Sequence, residues 1–199
     1  MAWPKYLPQK RTLVNRLLRW FDQASPRDIE EGATWYSQQQ ALAADLAPVL
    51  SGGDGDGLAI AAEVIAALSP RTIWSRNAAG AALLITHGEA LPGLLQRNVE
   101  MARRVINGER LEDITVKAPK IRAFAKNIAG DTWEVTIDVH MAYAMGIDEK
   151  TLDRVGCYEA ASEAVRAAAV ARGVEPSTMQ ATVWVVARRA KWSENRRRS

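Results

Sequence analysis

The stretch LAIAAEVIAAL, Leu58 to Leu68, decides the fold class. It is Ala-rich and almost wholly apolar, with Glu63 its one charge, and it shows no two-residue alternation. A run of this length that is apolar all round reads as a central buried helix. Ser51 to Gly57 (SGGDGDG) precedes it and reads as a flexible loop. That loop has only a superficial likeness to a calcium loop, because the later ligands and the bidentate Glu are missing. Ser69-Pro70 ends the buried run.

Working outward, nearly every periodic segment predicts a helix. Leu13, Val14, Leu17, Leu18 and Phe21 recur at helical spacing between Lys10 and Phe21, giving one apolar and one basic face. Ser25-Pro26-Arg27-Asp28 is a start signal, with Ser25 as cap and Asp28 in the first turn of a helix running to about Leu50. Further helices are predicted over Trp74–Thr86, over Leu94–Ile106 with a stop at Asn107-Gly108, and over Lys120–Ile128 with a stop at Gly130. Thr132 to Ile137 alternates loosely and predicts a short extended segment. Asp138 then caps a helix to about Ala144. Leu152–Arg172 reads as one long helix stopped by Gly173, and Ser177–Arg189 as the last, with Met179, Val183 and Val186 on one face. No repeat and no convincing sheet emerges. The expectation is an all-α single domain of about ten helices over residues 1–199, with N-terminal helices (1–50), a core (58–188) and a basic tail (189–199).

Composition narrows the function classes. The chain has 199 residues, 48% of them apolar, and a length near one domain's usual size. That is enough to bury about 70% of the unfolded surface without covalent staples. Cys157 is the single cysteine, which excludes an internal disulfide framework and any Cys-built iron–sulfur or zinc site. With only His87 and His140, an all-His metal centre is equally disfavoured, so no metal and no organic cofactor is expected. No apolar stretch is long enough for a bilayer, and no apolar region follows the basic N-terminus as in a signal peptide. A soluble, reducing, cytoplasmic setting, in a bacterial or phage-infected cell, is the expectation. The net charge of +3 combines unlike parts. Residues 1–20 hold Lys5, Lys10, Arg11, Arg16 and Arg19 and no acid. Residues 188–199 hold Arg188, Arg189, Lys191, Arg196, Arg197 and Arg198 against Glu194. Basic ends on an acidic middle suit a polyanion partner or simply solubility.

Four segments, in order, resemble the helix-hairpin-helix superfamily of DNA glycosylases, the endonuclease III and 8-oxoguanine glycosylase group. They are Leu68-Ser69-Pro70-Arg71-Thr72 with Asn77 and Ala81, Ala102 to Gly108, Ala118-Pro119-Lys120, and Ile137-Asp138-Val139-His140-Met141. The last is similar to the group's VDVHM, and the 18 residues from Lys120 to Asp138 match its Lys–Asp spacing. The chain is also similar to phage proteins carrying LSPxxxW, PKxxAF and TIDVH. Leu58 to Arg188 is covered by the resemblance, with Gln180 to Arg188 and Trp184 resembling a late helix of the family.

The resemblance implies an enzyme on double-stranded DNA that flips a modified or damaged base and cleaves its N-glycosidic bond. Asp138 would be the carboxylate that stabilises positive charge developing on the sugar. Lys120 would be the amine that attacks the sugar carbon and makes the enzyme bifunctional, with lyase activity. A lysine in the first turn after Pro119 lies near the positive end of a helix dipole, which disfavours its ammonium form. Arg71, Lys117 and His140 would contact DNA. The sequence departs from the pattern at Val116 and Ala118, where the family has glycines that let backbone N–H groups approach a phosphate. It departs again at Arg71, where endonuclease III types often carry Gln, and in lacking the cysteines of an iron–sulfur cluster.

Plainer readings stand beside these. Asp138 is equally an ordinary N-cap, and the two roles are compatible. Lys120 is equally a solvated first-turn lysine, and His140 a satisfied structural histidine. His87 reads as a helix-end residue and Cys157 as a small buried one. Trp35, Trp74 and Trp184 are expected in the core, while Trp3 and Trp192 flank the basic ends and are candidates for stacking on nucleic acid. Tyr36 and Gln38 to Gln40 are candidates for base specificity. Three other functions remain open: a nucleobase-modifying transferase on the same fold, a DNA-binding protein that has lost catalysis, and a structural or interaction protein.

Overall fold

Helices account for all the regular structure among the described residues, which in this computed structural model are 3–50, 56–116 and 118–198, with side chains described as far as Ser193. Ten α-helices follow in order. They are α1 (Lys10–Asp22), α2 (Pro26–Leu50), α3 (Gly57–Leu68), α4 (Trp74–His87), α5 (Gln96–Ile106), α6 (Leu111–Ile114), α7 (Pro119–Ile128), α8 (Val139–Met145), α9 (Cys157–Arg172) and α10 (Pro176–Arg198). A 3-10 turn covers Glu149–Asp153. The chain divides into two units: residues 1–36 with 132–199, and residues 37–131. Each has its own apolar core.

The second unit is built on α3. From Val64 to Leu68 every side chain is fully buried, and α4, α5 and α7 pack around it. The alanines let neighbouring helices approach closely, while burial of Val64, Ile65 and Leu68 contributes about 1.5–3 kcal/mol each. Glu63, the lone charge of the run, has a structural use. Its Oε2 accepts from the backbone N–H of Leu111 at 2.9 Å, and its Oε1 meets Arg110 at 3.2 Å. The carboxylate thus satisfies an orphan donor at the start of α6.

The first unit packs α1, α8, α9 and α10. Leu13, Leu17 and Phe21 of α1 are buried at a four-residue spacing. The basic face opposite is partly spent on structure. Arg16 donates to the Met145 carbonyl at 2.6 Å and Trp20 Nε1 to the Ala144 carbonyl at 3.0 Å, satisfying the C-terminus of α8. Lys10 pairs with Glu163. Arg11 and Arg19 stay exposed without a partner among the described residues. At the start of α2, Ser25 Oγ accepts from Asp28 N and Asp28 Oδ2 accepts from Ser25 N, the reciprocal cap expected there.

Three elements differ from the sequence reading. The long helix over Leu152–Arg172 is two pieces, because Gly156 adopts φ 75° and α9 begins only at Cys157. α5 begins at Gln96 rather than Leu94, after an extended Leu95. The last helix runs nine residues past Arg189, to Arg198. α6 was not foreseen. Trp3 does not stand free at the basic end: it packs against the first core, and its Nε1 donates to the Pro8 carbonyl at 2.8 Å. Most of the segment Ser51 to Gly57 lies outside the described residues.

Candidate functional site

Asp138 ends an irregular extended segment that no sheet partner supports. Tyr158 stands in for one: its hydroxyl donates to the Val135 carbonyl and accepts from Ile137 N–H, both at 3.0 Å. Thr132 adds a tie through its carbonyl, which accepts from Ser177 N–H. The chain then turns into α8 with Asp138 at the cap. Asp138 Oδ1 accepts from the N–H groups of His140 (2.9 Å) and Met141 (3.0 Å), and Oδ2 accepts from Trp184 Nε1 at 2.9 Å. The half-buried carboxylate is therefore fixed in orientation by a helix N-terminus on one oxygen and by an indole on the other. A carboxylate offers about four acceptor positions, so three donors leave room for one more.

Trp184 is the hub of this cluster. His140 meets it edge-on, with ring centroids 5.9 Å apart, and Trp35 lies 4.9 Å away. The Arg188 guanidinium covers it at 4.2 Å. One turn earlier on α10, the Gln180 carbonyl accepts from the Tyr36 hydroxyl at 2.6 Å. Burial pushes the phenols of Tyr36 and Tyr158 well above their ordinary range, and the charge of Asp138 adds to the effect. Both are neutral hydrogen-bonding groups at neutral pH. Gln180, Trp184, Arg188 and Trp192 thus form a ridge at four-residue spacing along α10, buried at Gln180 and exposed at Trp192.

The other expected residues belong to the second unit. Lys120 is the second residue of α7, partly exposed and without a partner among the described residues. Arg71 lies in the turn between α3 and α4. It is exposed and has φ 59°, the sole non-glycine residue with positive φ among the described ones. A cleft of about 410 Å³ in this unit is lined by Pro70, Arg97, Met101, Ile114 and Ile121, and neither Arg71 nor Lys120 is part of its lining. Lys117 lies outside the described residues. The turn after α6 contains no positive-φ residue among those described, and the Val116 carbonyl accepts from Arg122 at 3.3 Å. Among the described residues of the turn, Thr115, Val116 and Ala118, none adopts the left-handed conformation that the glycines of a phosphate-binding hairpin use.

Asp138 and Lys120 consequently lie in different units. No group of three or more His, Cys, Asp or Glu side chains arranged to hold a metal occurs among the described residues. No helix among them is long and apolar enough to cross a membrane.

A family model spans residues 5–191, nearly the whole chain and both units. The chain belongs to the family of unknown function DUF7178. No curated protein and no solved structure matches it. In this DUF7178 member the sequence foresaw Asp138 as cap and candidate carboxylate. It did not reveal Trp184, 46 residues away, as the group that orients it. The signal for Trp184 was its place on α10 one turn from Gln180 and Arg188. For Tyr158 no local signal existed, because its partners are backbone groups of a segment 21 to 23 residues earlier.

Proposed function

We propose that this DUF7178 member is a helix-hairpin-helix type DNA glycosylase acting on a modified or damaged base in double-stranded DNA. The observation that carries the reading is the Asp138 carboxylate. It is held as an acceptor by the α8 N-terminus and Trp184, with one acceptor position left, within a motif similar to that of the 8-oxoguanine glycosylases. The base is extruded from the duplex. As the C1′–N bond breaks, the electron pair leaves with the base and positive charge develops on the sugar, where Asp138 offsets it. A water then forms the new C1′–O bond and loses its proton. In the bifunctional version the Lys120 amine attacks C1′ instead, giving a Schiff base and then strand cleavage. Arg71 and His140, with Lys117, are the proposed DNA contacts.

The lyase step is tested by borohydride trapping on abasic and lesion-bearing duplexes. A covalent adduct that disappears in Lys120→Ala supports it. Base release without any adduct reduces the proposal to a simple glycosylase.

A second reading, a DNA-binding protein without catalysis, is favoured by two observations. Three structural hydrogen bonds occupy Asp138, and the turn after α6 lacks left-handed residues among those described. Duplex binding that falls steeply with salt, with no base release across a broad lesion panel, would favour it over the enzyme.

A further inference from the structure

The outer end of α10 carries a feature that base release does not use. Trp192 is 57% exposed, costly for so large an apolar side chain unless something covers it. Beside it lies a cleft of about 330 Å³, whose lining includes Arg27, Asp28, Glu31, Arg188, Arg189 and Trp192. Its charges are unequally engaged. Asp28 accepts from both terminal guanidinium nitrogens of Arg189, at 2.7 and 2.9 Å. Glu31 stands 3.8 Å from Arg188. Arg27 is exposed and has no partner among the described residues. The Arg188 guanidinium lies between two indoles, 4.2 Å from the Trp184 ring centroid and 5.4 Å from that of Trp192. Lys191 stands 5.7 Å over Tyr143. The sequence then continues through Arg196, Arg197 and Arg198.

An exposed indole backed by a stacked arginine, with the uncommitted Arg27 beside it, has the chemistry that holds unpaired bases and their phosphates. We propose that Trp192, Arg188 and Arg27 form a stacking platform for single-stranded nucleic acid. Trp192 offers its face to a base, Arg188 stiffens that indole from behind, and Arg27 takes a backbone phosphate. A duplex keeps its bases stacked on one another, so the exposed indole selects strands with free base faces. The inference goes beyond the base-release reading and uses none of Asp138, Lys120 or Arg71.

The test measures anisotropy of labelled oligothymidylate and oligouridylate of about 15 nucleotides, within the span such platforms cover. The full chain is compared with Trp192→Ala, Trp192→Phe and Arg27→Ala. Trp192→Ala should weaken binding by about 5- to 100-fold, while Trp192→Phe, which keeps a ring, should stay within about threefold of the parent. Arg27→Ala should reduce the slope of log affinity against log salt by about 0.7, the value for one phosphate contact on a single strand. A preference between the two oligonucleotides identifies DNA or RNA as the source of the strand.

The proposal is overturned if neither oligonucleotide binds at low salt, or if Trp192→Ala binds as the parent does. It is also overturned if a blunt duplex of equal length loses as much affinity in the variant, or if Trp192 is needed for anionic lipid vesicles instead. Base release measured in parallel separates the two readings. Retained release in Trp192→Ala with lost single-strand binding supports the platform, and absent release with intact single-strand binding defeats only the glycosylase.

Discussion

Removing the Arg189 side chain probes how α2 and α10 are tied together in the first unit. Asp28 is 3% exposed and accepts four hydrogen bonds: two from Arg189, one from Ser25 N–H and one from the Ser25 hydroxyl, the latter two at 2.8 Å. Arg189→Ala leaves a buried carboxylate with only the two Ser25 donors. Breaking a fully buried pair costs about 3–5 kcal/mol. Here the Arg189 side chain is 59% exposed, so water already screens half of the pair. The expected loss is about 2 kcal/mol, the range of hydrogen bonds to a charged group. Asp28→Ala removes the reciprocal cap as well and should cost about 1 kcal/mol more. A double-mutant cycle by urea denaturation should give a coupling of about 1.5–2 kcal/mol at pH 7. The pH dependence has a defined sign. The Arg189 guanidinium, and then Ser25, hold the Asp28 carboxyl far below the usual carboxylate range. A depressed folded-state value contributes stability above the unfolded value near 3.9 and loses it as pH falls below. The gap between parent and Arg189→Ala should therefore narrow by up to about 1 kcal/mol at pH 3. A coupling under about 0.5 kcal/mol, the range of exposed pairs, or a gap that widens in acid, would refute the reasoning.

Two further substitutions test particular packing and backbone arguments. A Cβ on Gly32 would meet the Thr182 hydroxyl oxygen and also lie 2.7 Å from the backbone N and Cα of Thr182, so a rotamer change alone does not relieve it. Overpacking of about 1–3 kcal/mol outweighs the roughly 1 kcal/mol gain in helix propensity, and Gly32→Ala should destabilise by about 1–2 kcal/mol. Thr182→Ala removes the hydroxyl contact and should rescue it only in part, and thermal unfolding showing full rescue would contradict the backbone contact. Arg71 occupies a left-handed conformation that costs a non-glycine residue about 1–2 kcal/mol. Allowing for the greater freedom of unfolded glycine, Arg71→Gly should be neutral to about 1 kcal/mol more stable, yet bind duplex DNA more weakly. Unchanged duplex affinity would remove Arg71 from the proposed contacts.

The helices were legible wherever an apolar stripe repeats over three turns, as in α1, or where a run is apolar all round, as in α3. They were not legible where the cause lies elsewhere in the chain. α6 has four residues, too few to show a period, and owes its start to Glu63, 48 residues earlier. The last turns of α10 carry charge in place of an apolar stripe, so Arg189 looked like an end. Gly156 interrupts what composition alone reads as one Ala-rich helix. The division into two units was hidden because α2 runs unbroken across residues 36 and 37. Asp138 was visible because capping is local. Its indole partner and the Tyr158 brace were not, because both depend on tertiary contacts. Basic residues near the N-terminus suggested a polyanion surface, yet Arg16 and Lys10 are engaged within the fold, Lys5 lies over the Tyr6 ring, and Arg11 and Arg19 remain uncommitted among the described residues.

The most direct measurement is release of free base from duplexes carrying a panel of modified and damaged bases, by the parent chain and by Asp138→Asn. Asparagine keeps a side-chain oxygen able to accept from the α8 N-terminus and so preserves much of the cap, but it removes the negative charge and the acceptor for Trp184 Nε1–H. The parent should release at least one base, and Asp138→Asn should be slower by about 100-fold or more while remaining folded and bound to DNA. Equal rates in the two proteins, or no release from any duplex by the parent, would contradict the assignment of Asp138 as the catalytic carboxylate.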